Sequence, residues 1–337
     1  MIITRTPFRV SFIGGGSDLK DFYSKAPGAV LSTTINKYMY LNSHPFFNRK
    51  AFQLKYSKTE LVNSVDGIQH QIFREVLRKF GIKGGLEISS NADIPAGTGL
   101  GSSSAFTVGL LQNLYTAESK YATKNKLAEE ASEMEIDILK APIGKQDQYA
   151  SAFGGLNLIE FLQDGNVRVD PIAISGEDKR KLAKNILMFY TKKQRSASKI
   201  LKKQKYFMAD SDKFGLVSEM VPYVYKLRDA LYQKQFDYLG EVLHKGWLLK
   251  KKITREISNE GIDSCYKKAL KAGAIGGKLL GAGGGGFLLF YCPLKKQDNL
   301  RKALKGLFEL KFAFDHEGSK VVYIGENDWG DEYGFFE

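Results

Sequence analysis

The chain is short of cysteine: only Cys265 and Cys292 occur in 337 residues. Two thiols cannot build a disulfide framework or a multi-cysteine metal site, so a reducing cytoplasm fits. Histidine is scarce as well. His44, His70, His244 and His316 show no zinc spacing, and no Ser-His-Asp arrangement can be argued from them. Long apolar runs are missing. The longest, such as "FLLFYC" (Phe287 to Cys292), are far too short to cross a bilayer, which excludes a membrane partner. The opening "MIITRTPFRVSF" lacks the layout of a cleavable signal and reads as a strand. Neither repeats nor a low-complexity linker interrupt the chain.

Acid is the minority charge: 37 Asp and Glu stand against 50 Lys and Arg, a formal net charge of +13. Such an excess suits an anionic partner: nucleic acid, phosphorylated metabolites or ATP. The lysines are spread along the chain, with clusters such as "LLKKKITR" (Leu248 to Arg255) that read as solvated surface. A hydrophobic content of 43% and a charged content of 26% are those of a globular protein with one large or two ordinary domains.

Strand patterns fall at Arg9–Ile13, Tyr38–Ser43, Ala51–Ser57, Gly85–Ala92 and Gly154–Leu162. Helical patterns fall at Ile68–Gly81 and at 103–117 and 123–139. Beyond "NILMFYT" (Asn185 to Thr191), helices fill about 195–271. The run "AIGGKLLGAGGGGFLLFY" (Ala274 to Tyr291), a helix near 296–308 and the strands "KFAFD" and "KVVYIG" follow. Strands mixed with helices, then a helical middle, then strand–helix–strand predict an α+β protein of two domains, 1–175 and 176–337.

The most informative stretch is "DIPAGTGLGSSSAFTVGLLQNLY" (Asp93 to Tyr115). Gly97, Gly99 and Gly101 let the backbone bend sharply and let a bulky anion approach. Ser102, Ser103 and Ser104 then open a helix, for which serine is a good N-cap. Phe106, Leu110 and Leu114 fill one face of that helix; Val108, Leu111 and Tyr115 fill another, so it should be buried. A buried helix fixes the direction of its dipole. Its N-terminus offers free N–H groups and about half a positive charge, for which phosphate is the natural ligand. The loop is neither a Walker A loop, since Gly101 is followed by Ser102, nor the dinucleotide GxGxxG.

The full string "IPAGTGLGSSSA" (Ile94 to Ala105) resembles the ATP-binding signature of the GHMP kinases. "TPFRVSFIGGGSD" (Thr6 to Asp18) is similar to that family's N-terminal substrate motif, and "KLLGAGGGGFLLF" (Lys278 to Phe290) to its C-terminal glycine-rich motif. The three occur in the family's order and span essentially the whole chain. The resemblance implies the two-domain GHMP kinase fold, with an N-terminal half like the second domain of ribosomal protein S5 and a ferredoxin-like C-terminal half. Within the family, "GIQHQIFREVLRKFGI", "APIGKQDQYASAFGGLN" and "KKQRSASKILKKQ" look most like the bacterial D-glycero-D-manno-heptose 7-phosphate kinases. Those phosphorylate the anomeric hydroxyl on the way to GDP-heptose for surface glycans.

The resemblance implies ATP and Mg²⁺ as cofactors and assigns roles residue by residue. Pro95, Ala96, Gly97, Thr98, Gly99, Leu100, Gly101, Ser102, Ser103, Ser104 and Ala105 would hold the triphosphate. Asp147, in "GKQDQYA", would be the base and Arg9 its cationic support. Glu135, twelve residues earlier, would hold the metal with Ser104 or Ser103. On a helical wheel Glu135 lies beside Ala128, Ala131 and Leu139, where a buried acid needs a partner and a cation would serve. Asp18 matches a sugar-binding aspartate, and Gly15, Gly16, Ser17, Gly283 and Gly284 would complete the substrate site. Galactokinase has Gly-Glu-His-Thr-Asp where this chain has Gly14-Gly15-Gly16-Ser17-Asp18. The lost carboxylate speaks against galactose, and the opened space suits a longer sugar ending in phosphate. Lys37, Lys145, Lys193 and Arg195 are candidate cations for that phosphate. Other sugars, such as fucose or an N-acetylhexosamine, are rival acceptors. A nucleic-acid-binding protein with an S5-like domain is the rival from another class. It lacks an interleaved aromatic-basic stretch, and the acids above would have no use on RNA, so no nucleic-acid partner is expected.

Overall fold

The computed structural model describes residues 1–192 and 211–325. The chain begins with β1 (Ile2–Ile13), a short helix α1 (Lys20–Tyr23) and the long strand β2 (Gly28–Pro45). β3 (Phe52–Lys55), β4 (Thr59–Val62), α2 (Gln71–Lys79) and β5 (Leu86–Ala92) follow. Next come α3 (Ser102–Ala117), α4 (Lys124–Ser132), a π-helical turn (Glu133–Ile138), α5 (Gln146–Phe153), β6 (Asn157–Phe161) and β7 (Val167–Pro171). The second half holds α6 (Gly176–Lys184), β8 (Ile186–Tyr190), α7 (Ser211–Tyr232), α8 (Tyr238–Ile253) and α9 (Glu260–Lys271). It ends in β9 (Gly276–Leu279), β10 (Phe287–Tyr291), α10 (Gln297–Ala303), β11 (Phe308–Glu309), β12 (Phe314–Asp315) and β13 (Lys320–Ile324).

β2 is the spine of the first sheet. It pairs antiparallel with β1 along nearly its whole length, with β5 near its end and with β6 near its start. β3 joins β5 in parallel. The second sheet runs β11-β8-β10-β9, all antiparallel, which numbered within that half is the 4-1-3-2 order of a ferredoxin-like sheet. One expectation is corrected by the pairing. The strands "KFAFD" and "KVVYIG", placed with the second half from the sequence, return to the first sheet, where β12 pairs with β2 and β13 with β1. Strand periodicity reports faces and not partners, so the destination of a strand this far along the chain has no local signal. The helix expected over 296–308 is also shorter, because the chain turns at Gly306 to lay Phe308 and Glu309 against β8.

α3 is the helix that positions the site. Residues from Ser104 to Leu111 are buried without a break, as expected of a helix apolar nearly all round. It packs on β1 and β2, and polar bonds pin it there. The Thr4 hydroxyl donates to the Gly109 carbonyl at 3.0 Å, and Asn113 Nδ2 donates to the carbonyls of Ile2 (3.2 Å) and Leu41 (3.3 Å). These bonds hold the N-terminus of α3 in a fixed direction.

Because β12 and β13 complete the first sheet, a fragment ending at residue 175 should leave β1 and β2 without those neighbours. Expressed alone, residues 1–175 are expected to melt without the sharp transition of the full chain when followed by circular dichroism. A fragment that melted as sharply and as high would show that the returning strands add no stability.

Candidate active site

The loop ahead of α3 is shaped by backbone contact. Gly101 occupies the N-cap with φ +77°, and no side chain caps the helix. Ser102, Ser103 and Ser104 form the first turn and not the cap, which leaves the helix mouth open to a ligand. The loop's glycines serve more than an approaching anion. A Cβ on Gly99 would lie 2.5 Å from the Leu280 carbonyl oxygen, and one on Gly281 would lie 2.5 Å from Gly99 Cα. The two glycine-rich runs therefore touch backbone to backbone across the two halves.

Arg9 stands beside this contact. Its Nε and Nη2 donate to Asp147 Oδ1 and Oδ2, each at 2.6 Å, and its Nη1 donates to the Gly99 carbonyl at 2.6 Å. Such a forked, charge-assisted pair is strong and geometrically specific. The Asp147 side chain keeps 22% exposure against 7% for Arg9, so the carboxylate faces the cavity. A Cβ on Gly101 would lie 3.3 Å from Asp147 Oδ2. The carboxylate thus sits at the mouth of α3.

Glu135 lies on the π-helical turn after α4, where the straight helix expected over 123–139 is interrupted. Such turns are frequent at functional sites. Its carboxylate is buried and accepts bonds from the Ser103 hydroxyl and, at 2.6 Å, from Gln148 Nε2. Ser104 bonds it as well. Burial pushes its pKa up to about 7, and the nearby Asp147 charge adds to that rise, although the three hydrogen bonds oppose it. A buried carboxylate bonded by two hydroxyls, with no Lys, Arg or His within 4.0 Å among the described residues, is a set of hard oxygen donors that fits Mg²⁺.

At the other end of the cavity, Asp18 is buried, which raises its pKa. It accepts bonds from the Gly16 N–H (2.8 Å) and Gln146 Nε2 (3.0 Å). Gly15 and Gly16 line the same wall. Ser17 does not; its hydroxyl donates to the Gly14 and Ala29 carbonyls and braces the turn. Thr98, Leu100 and Ala105 are likewise buried supports of the loop and do not line the cavity. In the C-terminal glycine run, Gly281 and Ala282 face the cavity, whereas Gly284 donates its N–H to the Ile257 carbonyl and Gly283 packs against Ile257.

The candidate cations are redistributed. Lys145 reaches away to the Gly165 carbonyl at 2.7 Å and lies over the Tyr23 ring, and neither it nor Lys37 lines the cavity. Lys193 and Arg195 fall outside the described residues. Two other lysines take their place. Lys250, from the cluster expected to be solvated surface, donates to the Gly281 carbonyl at 2.7 Å. Lys278 donates to the Ser11 and Phe12 carbonyls at 3.0 and 3.1 Å. Both line the cavity. Lys278 opens the glycine-rich motif, where a lone charge before an apolar run was the available signal. Lys250 had none, because a lysine among lysines does not reveal which one turns inward.

A single cavity of about 890 Å³ gathers these groups. Arg9, Asp18, Ser103, Glu135 and Asp147 line it with the loop residues Pro95, Ala96, Gly97, Gly99 and Gly101. Its far end is aromatic: His70 packs 5.0 Å from Phe106 and 4.7 Å from Tyr56, ring centre to ring centre. Burial lowers the His70 pKa, so the ring is neutral at pH 7.

The family descriptions "GHMP kinases N terminal domain" and "GHMP kinases C terminal" match residues 67–155 and 227–310. The chain is also 30% identical to the D-glycero-alpha-D-manno-heptose 7-phosphate kinase of Campylobacter jejuni over 95% of this chain and 98% of that one. This chain belongs to the GHMP kinase family. It is 26% identical to the galactokinase of Pyrococcus furiosus over 93% of this chain and 95% of that one. In structure it is similar to a D-glycero-D-manno-heptose 1-phosphate kinase from Bacteriodes thetaiotaomicron, with a TM-score of 0.78, 23% identity, and coverage of 96% of this chain and 100% of that one. The chain is thus a GHMP sugar kinase, a phosphotransferase with an alcohol acceptor, in a family that uses ATP. Among the described residues no helix is long and apolar enough to cross a membrane.

Glu135 gives this kinase a pH signature. Its folded pKa of about 7 lies above its ordinary 4.5, so folding takes up a proton between those values. Stability should therefore fall as pH rises from 4.5 to 7, and the full penalty should persist above 7. Without metal at pH 8, Glu135→Gln is expected to stabilise the chain by on the order of 1–3 kcal/mol, a gain that fades towards pH 4.5. Thermal melts across pH check this. A variant no more stable than the parent at pH 8 would mean the carboxylate carries no uncompensated charge.

Proposed function

We propose that this kinase transfers the γ-phosphoryl group of ATP to the anomeric hydroxyl of D-glycero-D-manno-heptose 7-phosphate, giving the 1,7-bisphosphate that leads towards GDP-heptose and surface glycans. The observation that carries the reading is the Arg9–Asp147 pair at the mouth of α3. Phosphoryl transfer needs a positioned acceptor, a group to take its proton and charge neutralisation around the moving phosphoryl. Asp147 takes the proton of the attacking hydroxyl. Arg9 holds that carboxylate in place and favours its ionised form. The loop amides and the open N-terminus of α3 cradle the nucleotide's phosphates. The adenine ring of ATP lies in the aromatic part of the cavity, beside Tyr56, His70 and Phe106.

Glu135 with the hydroxyls of Ser103 and Ser104 would hold Mg²⁺, which when bound neutralises phosphate charge. Gln148 orients that carboxylate. Asp18 and Gln146 take hydroxyls of the sugar, and the turn at Gly15 and Gly16 leaves room for a long acceptor. The name of the Campylobacter relative supports a heptose phosphate as that acceptor. An unphosphorylated hexose is the second reading, supported by the likeness to a galactokinase. Acids converging on one cavity speak against a nucleic-acid partner.

A coupled assay of ADP release over sugars and sugar phosphates tests the acceptor, and heptose 7-phosphate is expected to give the highest kcat/KM. An unphosphorylated hexose outperforming every sugar phosphate would sink that assignment. Asp147→Asn is expected to lower kcat by about 10²–10⁴-fold while the affinity for a nucleotide analogue is kept. Turnover at the parent's rate would remove Asp147 as the base.

A further inference from the structure

Lys250 and Lys278 pose a problem that the reaction above does not resolve. Both ammonium groups lie in the cavity, and among the described residues no carboxylate is within 4.0 Å of either. Lys250 spends one proton on the Gly281 carbonyl and Lys278 spends two, on Ser11 and Phe12. An ammonium has three donors, so both still have a proton to offer. A third unspent group lines the same cavity. The Ser11 hydroxyl is 7% exposed, lines the cavity and has no hydrogen-bond partner. Strand alternation puts Ser11 on the same face of β1 as Arg9, one step nearer to the turn that carries Gly15, Gly16 and Asp18. Ser11, with Lys278 bonded to its carbonyl, therefore stands on the acceptor side of the Arg9–Asp147 pair, and Lys250 enters the cavity from the Gly281 run. The nucleotide's phosphates already have the amides of the loop and of α3.

We propose that Lys250, Lys278 and Ser11 form a second anion subsite, separate from the amide cradle, which grips the phosphate that the acceptor already carries. This rests on the reading that the acceptor is a sugar phosphate. It identifies the residues that would discriminate a phosphorylated from an unphosphorylated sugar. The electrostatics agree. Burial, then repulsion from Arg9, lowers the Lys250 pKa to about 8. Lys278 is pushed well down by burial and by the charges of Lys250 and Arg9. Asp18 and Asp147 pull the Lys250 pKa the other way without outweighing burial and Arg9. Buried ammonium groups with no carboxylate in direct contact are costly, and a phosphate dianion reduces that cost. Its arrival should restore the missing protons, so binding takes up protons at pH 8.

Isothermal titration of the nucleotide-free chain tests this, with heptose 7-phosphate, the same heptose without phosphate, and inorganic phosphate as probes. The parent should bind the heptose phosphate at least about 10-fold more tightly than the free heptose. The heat should vary with the buffer as protons are taken up. Lys250→Met and Lys278→Met should each erase most of that preference while nucleotide-analogue affinity moves less than about 3-fold. Should Lys278→Met fail to fold for want of a donor to the Ser11 and Phe12 carbonyls, Lys278→Gln keeps a donor without the charge and serves instead. A loss shared equally by both forms of the sugar, a loss confined to the nucleotide, or an unchanged preference would each overturn the subsite. The two readings fail separately. If the parent turns over a different sugar phosphate and the variants lose its phosphate preference, the heptose assignment falls and the subsite stands. If heptose phosphate turns over and the variants still prefer it, the subsite falls alone.

Discussion

One guanidinium holds the working parts of this kinase together. Arg9 grips both oxygens of Asp147 on α5, the Gly99 carbonyl of the loop and, through its own backbone N–H, the Leu100 carbonyl. Strand, loop and helix are thereby fixed to one planar group that cannot lose its charge. The precision matters because the carboxylate must point at the mouth of α3 and not merely lie near it. The pair is largely buried, where removing one partner strands a charge and costs far more than breaking a surface pair. The remaining cavity lining is arranged around this clamp, with the glycine-serine loop on one side and Asp18 with Gly15 and Gly16 on another.

The cavity is electrostatically unfinished, and in opposite senses in two places. Beside the serines a buried carboxylate is pushed towards its neutral form. Beside β1 two lysines are pushed towards theirs. Opposite shifts of this kind within one cavity mark groups waiting for charged ligands, since a purely structural pair would have satisfied itself. A cation in one place and an anion in the other would relieve both, so the ligands complete the site's charge balance.

Much of the fold and most of the site were legible in the sequence. The α+β class and the buried α3 follow from residue patterns, whereas the ferredoxin-like second sheet and the grouping of Arg9, Asp18, Glu135 and Asp147 in one cavity were expectations carried by the family resemblance. Glu135 is instructive: a helical wheel placed it near the apolar flank, and the π-helical turn then carries it into the cavity. The failures are long-range. The return of β12 and β13 to the first sheet depends on partners about 280 and about 320 residues away, which no local pattern encodes. Ser17, Gly283 and Gly284 lie in the right motifs but brace backbone, because a motif names a segment and not the direction of each residue in it. Lys145 was read as a cation for the cavity and turns outward, whereas Lys250 was read as surface and turns in.

That last exchange shows how the two halves divide the work. The first half supplies the glycine-serine loop, both catalytic candidates and the candidate metal-binding oxygens of Ser103, Ser104 and Glu135. The second supplies the lysines, on α8 and β9, and the Gly281 wall that meets Gly99. Backbone contact between the two glycine runs leaves no room for a side chain, so the position of the second half is read directly against the nucleotide loop. Lys250 bonds the Gly281 carbonyl within that same contact. A shift of either glycine run would therefore move the lysine and the cradle together. In this arrangement the proposed acceptor subsite and the nucleotide loop share one mechanical joint, the main-chain contact of Gly99 with Gly281 that also carries the Lys250 bond.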